Sequence, residues 1–190
     1  MKKRKMILIP RVNVITHLAK QHNISVFVET GTHLGFMIGA VKSHFDILYT
    51  VELNENFYKK AIQKFSGDSK IHMLFGDSAE VLPLLVPNIA HPCIYWLDAH
   101  FSGGDTAYGN IRTPICSEVE TIAKHANKND VLLIDNIECF KGQKRQREDY
   151  PSIEEVKEVL QEGQPEWTVF VKDQILRAHK CLGKGCLHEI

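Results

Sequence analysis

Val26-Phe27-Val28-Glu29-Thr30-Gly31-Thr32-His33-Leu34-Gly35 is the stretch whose reading decides the fold. A short β-rich apolar run ends in an acidic residue and two glycines, and a helix-like segment follows. Ser25 to Glu29 reads as a strand buried on both faces of a parallel sheet. The glycines let the backbone turn sharply and approach a ligand with no Cβ in the way. The following helix start offers N–H groups to a carboxylate. Alone, the stretch is equally a plain strand-to-helix turn. It lacks the Gly-Lys-Ser/Thr ending of a P-loop, which disfavours triphosphate hydrolysis.

Working outward, the same alternation repeats. Ile47 to Val51, Ile71 to Phe75, Cys93 to Leu97 and Val131 to Ile134 read as strands. Helical segments are expected over Leu34 to Phe45, Asn54 to Phe65, Ala79 to Val86 (interrupted near Pro83) and roughly 115–127. A leading amphipathic helix over 11–22 carries Val12, Ile15, Leu18 and Ala19 at helical spacing. Pro151-Ser152 opens a last helix with Ile153, Val156, Val159 and Leu160 on one face. Trp167 to Val171 and Ile175 to Ala178 read as a hairpin around Lys172-Asp173. Five β-α units and a hairpin give a doubly wound α/β sheet with an antiparallel edge.

The 190 residues, 44% of them hydrophobic, suit one domain with a sizeable core. The domain is expected to span 1–190, with a helical extension over 1–23 and a tail over 181–190. Lys+Arg and Asp+Glu both total 23, so bulk positive charge gives no reason to expect nucleic acid as a partner. Cys93, Cys116, Cys139, Cys181 and Cys186 show no close metal-type pairing and read as reduced thiols. The apolar run Met6 to Ile9 is shorter than the roughly 7 residues of a signal-peptide core. No stretch approaches the roughly 18 apolar residues of a membrane span. A cytoplasmic location is the expectation, with no membrane partner.

In open α/β sheets ligands bind beyond the carboxyl ends of the strands, and an acid follows each of the first five strands: Glu29, Glu52, Asp77, Asp98 and Asp135. Glu52, about twenty residues after the loop, is placed to accept from both ribose hydroxyls of an adenosine ligand; a solvated strand-end acid is the plainer alternative. Asp77 and Ser78 are placed to read an adenine edge, or to cap the next helix. Asp98, Asp135 and Asn136 form a hard, oxygen-only set suited to Mg²⁺. Alternatively, Asp98 binds a ligand amino group and Asp135-Asn136 makes a turn. His100, two residues past Asp98, titrates near neutral pH and suits a general base, or is a polar loop residue. The loop Ser102 to Gly109 reads as a lid or a long connection. The charged run Lys141 to Asp149 reads as a solvated loop.

The ordered series Val-Glu-Thr-Gly-Thr-x-x-Gly, Thr50-Val51-Glu52-Leu53, Phe75-Gly76-Asp77-Ser78, Trp96-Leu97-Asp98 and Leu133-Ile134-Asp135-Asn136 resembles the class I S-adenosylmethionine (SAM)-dependent methyltransferase family over about residues 24–178. The resemblance implies a Rossmann-like, mostly parallel seven-stranded sheet with a C-terminal antiparallel hairpin. It also implies SAM as methyl donor and transfer over the sheet edge to a small-molecule acceptor. By position, Glu29, Gly31, Thr32 and Gly35 would border the methionine part, Glu52 the ribose, and Asp77 with Ser78 the adenine, with Asp98 beside the amino group. The acids after strands four and five resemble the metal site of catechol-type O-methyltransferases. That resemblance implies Mg²⁺-assisted O-methylation; with His100 read from its position beside Asp98, Asp98 and His100 are the expected catalytic pair. The loop departs from the family in lacking a third tight Gly-x-Gly. A SAM- or nucleotide-binding module without chemistry is the alternative function. A Rossmann oxidoreductase fits less well, because the glycine pattern is interrupted. A homodimer is compatible with the sequence but not indicated by it.

Overall fold

The computed structural model describes residues 2–99, 113–140 and 150–181, with the side chains of 2–7 excepted. His100, the expected lid over 102–109, the charged run 141–149 and most of the tail lie outside the described residues. Seven strands form one sheet: β1 (Val26–Thr30), β2 (Ile47–Glu52), β3 (Ile71–Phe75), β4 (Cys93–Leu97), β5 (Val131–Ile134), β6 (Trp167–Lys172) and β7 (Ile175–Lys180). Their spatial order is β3-β2-β1-β4-β5-β7-β6. β1 to β5 run parallel, whereas β7 is antiparallel to both β5 and β6. β1 lies between β2 and β4, so the strand order reverses beside it, where such sheets receive ligands.

Among the described residues, six α-helices cover the sheet: α1 (Lys2–His22), α2 (Phe36–Val41), α3 (Glu55–Phe65), α4 (Ser78–Leu85), α5 (Ile115–His125) and α6 (Ile153–Gly163). One core layer packs α1, α2 and α3 on Phe27, Leu48, Ile94, Trp96, Val131 and Leu133. The other packs α4, α5 and α6 on Val26, Val28, Tyr95, Leu97, Leu132 and Ile134. The two layers follow the period-two alternation of strand side chains.

Several boundaries differ from the sequence expectation. The first helix begins at Lys2 and runs through Pro10, so the signal-like run Met6 to Ile9 is a turn of α1. The second stops at Val41, and a 3₁₀ turn, Lys42–His44, completes it. The fourth is not interrupted at Pro83. Proline there cannot donate to the Ala79 carbonyl four residues back, and Ser117 Oγ donates to that oxygen instead, at 3.4 Å. The last helix starts as expected, with Ser152 and Glu155 forming a capping box. No helix among the described residues is long and apolar enough to cross a membrane.

Candidate active site

Strand alternation places most of the predicted site acids on one face. Continuing each strand's parity puts Glu29 with Phe27, Glu52 with Leu48, Asp98 with Ile94 and Trp96, and Asp135 with Val131 and Leu133. All four therefore stand at the carboxyl rim on the face covered by α1, α2 and α3.

The glycine loop is pinned to the neighbouring strands. The Gly31 and Thr32 amides donate to the Val51 carbonyl, at 3.0 and 3.2 Å. Gly31 has φ +85°, and a Cβ there would stand 2.8 Å from the Asp98 carbonyl oxygen. Only glycine lets the loop lie this close to the end of β4. Gly35, at φ +63°, faces the Phe65 ring, which a Cβ would meet at 2.7 Å. Glu52 is buried and accepts from the His33 amide at 2.6 Å and the Asn54 amide at 2.8 Å. Asn54 in turn caps α3.

Glu29 is buried and accepts from Thr50 Oγ1 at 2.6 Å, and Thr50 shares a 2.6 Å hydroxyl contact with Thr32. Burial pushes the Glu29 carboxyl up to about 8, with the Thr50 hydrogen bond offsetting part of the rise and Asp98 and Glu52 adding to it. Asp77 caps α4 by accepting from the Ala79 amide at 3.0 Å. The capping role is therefore realised, and it leaves the second carboxylate oxygen for another partner. Ser78, the first residue of α4, is buried.

Asp98, Asp135 and Asn136 are brought together. Asn136 has a left-handed backbone (φ 57°), and its Nδ2 donates to Asp98 Oδ1 at 2.7 Å. The Asp135 carboxylate, however, is already held. Arg11 Nε donates to Oδ2 at 2.5 Å and Arg11 Nη2 to Oδ1 at 2.7 Å, and Oδ1 also takes the Asn136 amide at 2.8 Å. Asp135 raises the Arg11 pKa further by that hydrogen bond, against the opposing effect of burial. As arranged, these residues do not fit a divalent cation: a guanidinium fork lies across both oxygens of one ligand, and the amide nitrogen faces the other. Among the described residues no group of three His, Cys, Asp or Glu side chains is placed to hold a metal ion.

Sequence reasoning missed two participants. Arg11 carried no motif, because its partner is 124 residues away. Glu118 carried no motif either, lying inside the helix expected over roughly 115–127. It is 1% exposed, and neither carboxyl oxygen has a hydrogen-bond partner. Burial pushes it up to about 7; the Ser78 and Thr30 hydroxyls offset part of that rise, while Asp77 and Asp98 add to it. Neither hydroxyl closes a hydrogen bond to Glu118, and Thr30 Oγ1 is itself unpartnered. The signal in the sequence was an acid among α5's apolar core positions Ile115, Val119 and Ile122. Two open clefts, of about 540 and 850 Å³, lie at the opposite rim near Ser25, Asp46 and Asn129. They hold none of these residues.

No family model matches the chain, and no curated protein sequence does either. Solved structures do. The O-methyltransferase TomG of Streptomyces achromogenes, in complex with SAM, is similar at TM-score 0.64 and 16% identity, over 90% of this chain and 79% of that one. An O-methyltransferase of Bacillus cereus, in complex with SAH, is similar at TM-score 0.64 and 13% identity, over 90% and 81%. The SAH-bound methyltransferase PaMTH1 of Podospora anserina is similar at TM-score 0.60 and 14% identity, over 90% and 78%. At these identities the likeness speaks to fold, and with the sheet order above it is decisive on that point: the chain has the Rossmann-like fold of class I SAM-dependent methyltransferases.

Proposed function

We propose that the chain is a SAM-dependent methyltransferase that methylates an oxygen of a small hydroxylated metabolite or sugar. The observation that carries the reading is the carboxyl rim of this sheet, where a pinned glycine loop, Glu52, the Asp77-Ser78 cap and Asp98 follow four adjacent strands. The residues fit the cofactor. Glu52 keeps lone pairs beyond those given to the His33 and Asn54 amides, enough to accept from ribose hydroxyls. Asp77 and Ser78 would meet the adenine, and Glu29, Gly31, Thr32 and Gly35 the methionine part, with Asp98 beside the amino group. When bound, the cofactor supplies an electrophilic methyl group on a sulfonium.

The protein's own contribution is placement and proton handling. The loop fixes the donor side, and Asp98, held by Asn136, borders the acceptor side. Proximity and alignment of the two reactants account for much of the barrier reduction in such a transfer. His100, two residues beyond Asp98, is proposed as the base that takes the acceptor proton. The Asp98–Asp135–Asn136 set as arranged does not fit Mg²⁺.

Titration of the protein with SAM, S-adenosylhomocysteine and NAD is the first test. Micromolar binding of the two adenosyl ligands and none of NAD is expected; preference for NAD would overturn the reading. Asp98→Ala is then expected to abolish turnover, and full activity in that variant would sink the assignment of Asp98. Ligand binding that is indifferent to Asp98, with no transfer to any acceptor, would favour a binding module without chemistry.

A further inference from the structure

An oxygen-only set on two adjacent strand ends suits a hard cation, and Asp135 is buried there, at 7% exposure. A buried carboxylate left unpaired costs several kcal/mol. Here the compensating charge comes from the protein. Arg11 engages both carboxylate oxygens through two adjacent N–H groups, a planar fork that lysine cannot reproduce. The arginine is fixed from below, since Val14, Ile15, Leu18 and Ala19 of α1 are buried in the core layer beneath this rim. Asn136 completes the arrangement by closing on Asp98 through its amide nitrogen. Its amide oxygen and Asp98 Oδ1 are therefore not offered together to one ion. A dication seated on Asp135 would have to displace a bidentate ion pair and would repel the guanidinium that remains.

We propose that Arg11 is the resident cation of the acceptor side, a positioning residue whose guanidinium takes the seat of a divalent ion, so that the site works without metal. The proposal deepens the transferase reading of this site and rests on it for its consequence in turnover. A guanidinium stays charged at every working pH, so the field at the Asp98–Asn136 edge depends on α1 being docked and on no dissociable ion.

The test uses the full chain and Mn²⁺, whose free ion is counted by its electron paramagnetic resonance signal. Wild type is expected to leave that signal as in buffer. Arg11→Gln is expected to take up one equivalent, and Arg11→Gln/Asp135→Asn to lose that uptake again. Uptake by wild type that Asp135→Asn abolishes would overturn the proposal, as would a folded Arg11→Gln as silent as wild type. Because Arg11→Gln can fail to fold, wild-type turnover is measured as well, after exhaustive chelation and again with added Mg²⁺. Equal rates support the proposal; loss on chelation with recovery on Mg²⁺ refutes it. The manganese readout needs neither cofactor nor turnover. A protein that binds no SAM would end the transferase reading and leave the manganese result standing on its own.

Discussion

The molecule buries carboxyl groups at one sheet rim in two opposite ways. On either side of β1, Glu29 and Glu118 are enclosed with hydroxyls or with nothing, and burial drives both toward the protonated form at neutral pH. At the ends of β4 and β5, the half-buried Asp98 accepts from the Asn136 amide and the buried Asp135 is forked by a guanidinium. Residue type does not separate these cases. What separates them is whether a distant segment delivers a cation, and α1 delivers one only to the second pair. The rim thus combines acids that burial drives toward protonation under the glycine loop with acids paired by an amide and a guanidinium at the ends of β4 and β5.

Removing the cation should collapse this difference and produce the largest effect. Arg11→Ala leaves a buried carboxylate unpaired, a change that costs about 4 kcal/mol in such pairs. Asp135→Asn leaves the guanidinium, 19% exposed, with a weaker partner. The double variant should lose clearly less than the sum of the singles. Chemical denaturation of the four proteins checks this, and strict additivity would mean that the pair contributes nothing as a pair.

The β1 side should answer to pH instead. Glu118 rises from 4.5 to about 7 in the folded protein. Between those values the native state binds the proton and the unfolded chain does not, so stability falls as pH rises through that window. The full shift is worth roughly 3 kcal/mol. Glu118→Gln keeps the shape of the protonated acid and should match wild type near pH 4. It should exceed wild type near pH 8, leaving a shallower stability profile whose remaining slope belongs to Glu29 and to Asp130, which burial also pushes up, to about 7. Parallel profiles for the two proteins would show that Glu118 titrates alike in the folded and unfolded chains, with no upward shift on burial.

How much of this was legible in the sequence follows from the range of the interactions. Strand parity is local, so the convergence of Glu29, Glu52, Asp98 and Asp135 on one rim could be read from the residues, as could the seven-stranded sheet with its final hairpin. The Asp77 cap and the Ser152 helix start are also local. The Arg11–Asp135 pair joins residues 124 positions apart, and no periodicity encodes which helix face meets which strand end. The same limit hid Glu118, whose isolation depends on how α5 packs over Thr30 and Ser78. Pro83 misled for a related reason: the cost of proline in a helix is local, but the Ser117 hydroxyl that offsets it comes from another helix.

The smallest expected effect sharpens the β1 side further. Thr50 donates to Glu29 at 2.6 Å and meets Thr32 at the same distance, so one hydroxyl links the buried acid to the glycine loop. Thr50→Val keeps the shape and removes that donor, at a cost of about 1 kcal/mol for the lost hydrogen bond. The Thr50 hydroxyl lowers the Glu29 pKa from the value burial alone would impose. Its removal should therefore move the carboxyl above about 8 and extend the pH-dependent loss of stability to more alkaline conditions. The sign is the informative part. If Glu29 were held ionised, losing Thr50 would leave a charged group under-satisfied, and the variant would be weakened most at high pH with no extension of the titration. Stability profiles of wild type and Thr50→Val between pH 6 and 10 distinguish the two, and thereby test whether the contrast across the rim is one of protonation or only of packing.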